Sequence, residues 1–164
     1  LRLYLGCAFP FVVVPFDRIL DEVASERADA GLVIHEGQLT YGALGLHKIV
    51  DLGAWWSESN DGLPLPLGGN AVRKDLGAAT MRALTVMYRD SIAFALSHRA
   101  EALAYAKDFG RGLDDGLNDR FVGMYVNDLT LDYGERGRRS IRLFLDRGFA
   151  AGIIPAVGRL EFVA

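Results

Sequence analysis

A short apolar run at residues 30–34 stops at a histidine, and this stop constrains the fold more than any other feature of the sequence. The run ends in two β-branched residues and predicts a buried strand of a parallel sheet. Open α/β sheets bind their ligands just outside the carboxyl ends of such strands. His35, the first residue after the run, therefore has a side chain and a position that both suit a functional site.

The order of elements around this run predicts an α/β fold. Residues 11–14 form an earlier β-branched run between two prolines, which predicts a strand. A helix is expected from Asp17 to about residue 24, with Ile19, Leu20 and Val23 on one face. Strand–helix–strand order favours parallel pairing with a right-handed crossover. Further strands are expected at residues 47–52, 71–73 and 160–163.

The second half of the chain has a helical pattern. Apolar residues recur at three- and four-residue spacing from residue 77 to about 98. Short helices are also expected at residues 1–6 and 54–59, and longer ones at 101–109, 118–125 and 135–149, with breaks at 110–112 and 114–116. Because the chain begins in what reads as the last turns of a helix, we expect sequence upstream of it.

Composition narrows the class of protein. The chain has 164 residues, of which 51% are hydrophobic, enough for a packed core and too many for a disordered chain. A net charge of -3 gives no indication of a nucleic-acid or membrane partner, and no apolar run approaches the roughly 20 residues of a membrane span. Cys7 is the only cysteine, so an internal disulfide is excluded, and the three histidines match no common metal-binding spacing.

Each candidate site residue has a structural alternative. His35 suits a general acid or base because an imidazole titrates near neutrality, yet histidines at strand ends are often hydrogen-bonded structural residues. Glu36 either orients that ring or stays solvated. The backbone N–H groups around Gly69 suit an anion or a carbonyl, or the glycine pair simply bends the chain. Asn127 either caps a helix or points into a cleft.

The aromatic residues also have both a functional and a structural alternative. Trp55 and Trp56 either stack on a flat ligand or pack in a core or hinge, and Tyr41 carries the same alternatives. The arginine-rich run at residues 136–142 is expected to be a solvated helix face.

Three long tracts carry a resemblance to a known family. They are His35-Glu-Gly-Gln-Leu-Thr-Tyr41, Val50-Asp-Leu-Gly-Ala-Trp-Trp56 and Gly62-Leu-Pro-Leu-Pro-Leu-Gly-Gly-Asn70. In this order and spacing they closely resemble the 1,4-dihydroxy-6-naphthoate synthases of the futalosine pathway of menaquinone biosynthesis. The resemblance covers nearly the whole chain.

The resemblance implies a two-lobed, periplasmic-binding-protein-like α/β fold (type 2), incomplete at the N-terminus. Residues 1–67 would form most of the second lobe. Residues 68–164 would form the return crossing and the helices that complete the first lobe. The opening part of the first lobe and the first strand–helix unit of the second would then lie outside this chain.

The resemblance also implies a cytoplasmic, cofactor-free lyase with no metal. His35 would accept a proton from cyclic dehypoxanthine futalosine, which yields 1,4-dihydroxy-6-naphthoate and dihydroxyacetone. Substrate contacts are expected from Glu36, Tyr41, Gly69, Asn70 and Asn127, and Trp56 is a second candidate for a flat apolar wall. The expected partner is this small molecule, with a homodimer as one open oligomeric state. The alternatives are a chorismate dehydratase-like enzyme of the same pathway and a non-catalytic solute-binding protein of the same fold.

Overall fold

The computed structural model describes residues 1–107 and 115–163, which belong to two compact units, Leu1–Trp55 and Trp56–Ala164. The division between the units falls inside a helix, Leu52–Glu58. The lobe boundary expected near residue 67 lies within the second unit and stays a prediction.

Helices account for all the regular structure in the described residues. They are α1 (Arg2–Leu5), α2 (Ile19–Ala24), α3 (Gly37–Thr40), α4 (Leu52–Glu58), α5 (Gly77–Ser97), α6 (Arg99–Lys107), α7 (Asp115–Tyr125), α8 (Asp128–Leu131) and α9 (Gly134–Ala150), with 3-10 turns at Phe16–Arg18, Tyr41–Leu44 and Lys74–Leu76. Within these residues no helix combines the length and hydrophobicity needed to cross a bilayer.

The helices predicted from periodicity are confirmed. The helix expected from Asp17 begins as the 3-10 turn Phe16–Arg18 and continues as α2, and the one expected at residues 77–98 is α5. The helix expected at 101–109 begins two residues earlier, as α6. Its last two residues, the break at 110–112 and the first residue of the break at 114–116 lie outside the described residues. The rest of that second break is wrong, because α7 already begins at Asp115.

None of the five segments predicted to be strands forms a strand in residues 1–107 or 115–163. Their apolar side chains are largely exposed: Val13 is 87% accessible, Ile34 62% and Ile49 81%. The physical reason is that a strand exists only through backbone hydrogen bonds to a neighbouring strand, and no such neighbour is present in this part of the chain. The α/β class therefore stays a prediction.

In the first unit, the predicted face of α2 packs against two glycines. A Cβ at Gly31 would lie 2.5 Å from Cγ2 of Ile19 and 3.1 Å from Cγ2 of Val23, and a Cβ at Gly37 would lie 2.8 Å from Cδ1 of Leu20. Only a residue without a side chain allows this close approach. The segment before His35 therefore lies directly on α2, although it has no strand neighbour.

The core of the second unit is built around Trp56, which is fully buried. Its indole Nε1–H donates to Oγ of Ser140 over 3.0 Å, and the Ser140 hydroxyl donates to the carbonyl of Pro64 over 2.6 Å. The ring of Phe144 meets the indole edge to face at 5.4 Å, and the guanidinium of Arg147 lies 5.5 Å from the indole centroid. Helix α9 is thereby fixed to Trp56 and to the segment that follows α4.

The prediction that residues 136–142 form a solvated helix face is confirmed only in part, because Gly137 and Ser140 within this run are buried. Arg136 and Arg139 are exposed. Arg136 donates to the carbonyl of Gly62 over 2.7 Å, and Arg139 donates to the carboxylate of Asp61 over 3.1 Å. These bonds join the start of α9 to the turn after α4.

Candidate active site

His35 lies two residues before the start of α3, in the first unit. Its carbonyl accepts the N–H of Gln38 at 3.0 Å, and the carbonyl of Glu36 accepts the N–H of Leu39 at 2.9 Å. The side chain of His35 accepts a further backbone hydrogen bond, because the N–H of Gly37 donates to Nδ1 over 2.9 Å. The first turn of α3 thus fixes both the backbone and one ring nitrogen of His35.

Gly37 is required for this ring position. A Cβ at residue 37 would lie 2.5 Å from Cε1 and 3.0 Å from Nδ1 of His35. Real Cβ atoms essentially never approach a heavy atom to 2.5 Å, so any larger residue would displace the imidazole. The glycine of the His-Glu-Gly sequence therefore has a steric reason as well as a donated N–H.

The imidazole is largely buried and one nitrogen has no partner. Only 11% of the His35 side chain is accessible. Its ring centroid lies 5.5 Å from that of Phe16, with the planes inclined by 57°. Nε2 is buried and has no hydrogen-bond partner among the described residues. Because an unsatisfied buried nitrogen is costly, Nε2 is the atom at which a bound polar group would be most stabilising.

Glu36 lies beside the other ring nitrogen. A carboxylate oxygen of Glu36 is 3.9 Å from Nδ1 of His35, and 20% of the Glu36 side chain is accessible. The distance is longer than a hydrogen bond but short enough for electrostatic attraction to a protonated ring. Of the two alternatives for Glu36, orienting the imidazole is therefore geometrically available.

The other predicted contacts belong to different parts of the chain. Tyr41 is half-buried in the first unit, at the start of the 3-10 turn Tyr41–Leu44 that follows α3. Gly69 and Asn70 are exposed in the second unit, where Nδ2 of Asn70 donates to the hydroxyl of Tyr88 over 2.8 Å.

Asn127 caps α8. Its Oδ1 accepts the N–H of Leu129 at 3.0 Å, and its own N–H donates to Oγ1 of Thr130 at 3.2 Å, which completes a capping box. The helix-capping alternative therefore describes the Asn127 side chain in this structure.

Trp56 does not serve as a flat wall for a ligand. The expectation that it does is wrong, because the side chain is fully buried and its N–H is bonded to Ser140. Trp55 meets the ring of Tyr4 edge to face at 5.4 Å. Both tryptophans therefore have packing partners within their own units.

Neither Phe16 nor Gly37 is individually predicted as a site residue from the sequence. Phe16 follows Pro15 in a 3-10 turn, and nothing in the local pattern indicates that its ring meets an imidazole nineteen positions later. The sequence does indicate a role for Gly37, since a glycine two residues after a histidine has no Cβ and lets its backbone N–H approach the ring.

Two ion pairs of the described residues lower the pKa of a carboxylate. The guanidinium of Arg27 hydrogen-bonds the carboxylate of Glu22 and lowers its pKa, and Arg73 lowers the pKa of Asp75 in the same way. No group of three or more metal-ligating side chains occurs in these residues.

Comparison with known proteins gives consistent matches. Residues 1–150 match the model of the family described as Menaquinone biosynthesis. A 1,4-dihydroxy-6-naphthoate synthase of Thermus thermophilus is 48% identical over 144 residues, covering 85% of this chain and 53% of that protein. One of Streptomyces coelicolor is 40% identical over 147 residues, covering 90% of this chain and 52% of that protein. The chain thus spans about half the length of these relatives.

A crystal structure of an Archaeoglobus fulgidus protein from a structural genomics consortium is similar over 86% of this chain and 53% of that one. The TM-score is 0.81 and the sequences are 45% identical. With the family model covering residues 1–150 and two named relatives at this level of identity, the chain belongs to the menaquinone biosynthesis family.

Proposed function

We propose that the protein is a 1,4-dihydroxy-6-naphthoate synthase, a carbon–carbon lyase of menaquinone biosynthesis. The reaction converts cyclic dehypoxanthine futalosine to 1,4-dihydroxy-6-naphthoate and dihydroxyacetone. The observation that carries the proposal is the name shared by two relatives that are 48% and 40% identical over most of this chain.

His35 is the proposed base. Its imidazole is held by the N–H of Gly37, is shielded by Phe16, and keeps a buried Nε2 without a partner among the described residues. A base that is fixed and desolvated abstracts a proton more effectively than one in water. Backbone and amide N–H groups would stabilise the negative charge that develops, for which Gly69 and Asn70 stay the candidates. Asn127, the third predicted group, is engaged in the cap of α8.

The wider setting is part of the same proposal. The exposed apolar segments at residues 11–14 and 30–34 are what unpaired strands of an α/β sheet would leave. We therefore retain the two-lobed, periplasmic-binding-protein-like fold, with residues 1–67 in one lobe and 68–164 completing the other. The proposed enzyme is cytoplasmic, uses no cofactor, binds a small molecule rather than nucleic acid or a membrane, and has a homodimer as one candidate oligomeric state.

The test is turnover of cyclic dehypoxanthine futalosine by the whole protein, with product detected by chromatography and mass. His35→Ala should lower kcat by roughly 100- to 10,000-fold, which is what a positioned base contributes. The control is His47→Ala, since His47 is exposed and lies outside the site. A His35→Ala rate equal to that of the control would overturn the base assignment.

A second arm tests the reaction itself. Turnover of chorismate instead of the futalosine derivative would favour a dehydratase. Substrate binding without turnover by the unmutated protein would favour a solute-binding protein. Either result would overturn the proposed lyase activity.

A further inference from the structure

Nδ1 of His35 has two neighbours with opposite requirements. The N–H of Gly37 donates to it over 2.9 Å and needs a lone pair there. The carboxylate of Glu36, 3.9 Å away, needs a proton there. A neutral imidazole carries one N–H and one lone pair, so it satisfies only one of these neighbours at a time.

The observed geometry satisfies Gly37. While its N–H donates to Nδ1, the single proton of the neutral ring is on Nε2. In this tautomer the buried Nε2 presents a hydrogen-bond donor and has no lone pair for a substrate proton. The ring at rest is therefore poised as a donor, and proton abstraction at Nε2 requires the other tautomer.

Glu36 is the group that stabilises the other tautomer. Its oxygen needs to move about 1 Å closer to reach hydrogen-bond distance from Nδ1. The Glu36 side chain is only 20% accessible, so a charge-assisted bond to Nδ1–H would be weakly screened by solvent. As the residue directly between His35 and Gly37, Glu36 makes this exchange of partners without help from another element.

We propose that Glu36 is a positioning residue for His35, and that the ring becomes a base when Nδ1 changes partner from the N–H of Gly37 to the carboxylate of Glu36. In the exchange Nε2 gives one proton to solvent and Nδ1 takes one proton from solvent, so the ring stays neutral. Nε2 then takes the substrate proton, and the resulting imidazolium is paired with the carboxylate through Nδ1–H. This inference rests on the proposed function, which makes His35 the base.

The tautomer is measured without any turnover. Long-range proton–nitrogen NMR correlations of the whole protein, labelled with nitrogen-15 in histidine, distinguish a protonated Nε2 from a protonated Nδ1. We expect the Nε2–H form in the unmutated protein without substrate. Gly37→Ala should displace the ring and change this pattern, whereas Gly42→Ala should not, because a Cβ at Gly42 meets nothing within 4 Å. An Nδ1–H ring in the unmutated protein would overturn the inference.

The role of Glu36 is measured by kinetics. Glu36→Gln should lower kcat by roughly 100-fold with KM little changed, because an uncharged amide stabilises Nδ1–H less than a carboxylate does. Glu36→Asp should recover part of that loss, since it restores the charge. Glu58→Gln is the matched control, because Glu58 is exposed on α4.

The outcomes separate the two proposals. A Glu36→Gln variant with kcat within about twofold of the unmutated rate would overturn the positioning role, while an inactive His35→Ala variant would still support the base. A fully active His35→Ala variant would overturn the assignment of His35 as the base, whereas the substrate arm alone decides the lyase activity, and the NMR pattern would still report the tautomer of the resting ring.

Discussion

Replacing Ser140 by alanine tests whether its hydroxyl stabilises the core of the second unit. Ser140 is fully buried on α9, and its hydroxyl makes two hydrogen bonds that alanine cannot make. The change removes one oxygen atom and leaves the backbone and packing volume nearly unchanged. The loss in the free energy of unfolding therefore measures the effect of leaving two polar groups without their hydrogen-bond partner.

The magnitude follows from those two groups. The indole N–H of Trp56 is in a fully buried side chain, and leaving a buried donor unsatisfied costs about 1–3 kcal/mol. The carbonyl of Pro64 is only half-buried, so solvent compensates part of its loss and its share is about 1 kcal/mol. We therefore expect Ser140→Ala to lower the free energy of unfolding by about 2–4 kcal/mol.

The assay is urea unfolding of the whole protein, followed by tryptophan fluorescence and circular dichroism. Ser91→Ala is the control, because Ser91 is exposed on α5 and the change should stay within about 0.5 kcal/mol of zero. Trp56→Phe removes the same donor, so its combination with Ser140→Ala should cost less than the sum of the single changes. A Ser140→Ala cost equal to that of Ser91→Ala, or strict additivity in the cycle, would show that the Ser140 hydroxyl does not stabilise the core through these two groups.

Two further predictions concern the first unit. Gly31→Ala should destabilise the first unit by about 1–3 kcal/mol, because the new Cβ would lie 2.5 Å from Ile19. Adding Ile19→Ala to the same protein should recover part of this loss. Hydrogen exchange of the α2 amides measures the destabilisation, and unchanged protection of those amides would contradict the prediction. The hydrogen bond from Arg27 lowers the pKa of Glu22, so its contribution to stability is complete above the ordinary pKa of a glutamate and is lost as pH falls through the lowered one. Hydrogen exchange of α2 across that acidic range should show a loss in the unmutated protein that is absent in Glu22→Gln, and identical profiles would refute the role of the pair.

The sequence predicted helices better than strands, and the reason is the range of the interactions. Helix α5 depends on hydrogen bonds four residues apart, so three- and four-residue apolar spacing was sufficient to predict it. The run at residues 30–34 has the composition of a strand, but a strand also needs a partner whose position no local pattern specifies. Its packing on α2 through Gly31 is nevertheless consistent with the predicted strand–helix–strand order.

In the candidate site, too, local contacts were predicted and long-range contacts were not. The end of an apolar run identified His35, and the neighbouring tract supplied Glu36 and Gly37, all of which contact or approach one another. Phe16 was not predicted as a contact of the ring, because its position depends on how the turn before α2 lies against residue 35. The sequence left open whether Trp56 packs in a core or stacks on a ligand. Its burial depends on contacts such as the hydrogen bond to Ser140 on α9, which is far away in sequence.

The His-Glu-Gly sequence therefore has a property that the rest of the proposed site lacks. Three consecutive residues supply the proposed base, a carboxylate that can stabilise one tautomer, and an N–H that stabilises the other. Because these contacts span at most two residues, they depend on the local turn before α3 and on Phe16 and Leu20, which pack against it in the first unit. Groups such as Gly69 and Asn70, by contrast, can act on a substrate only through long-range folding. We therefore expect the tautomer of His35 to survive changes in the second unit, such as Ser140→Ala, that lower its stability.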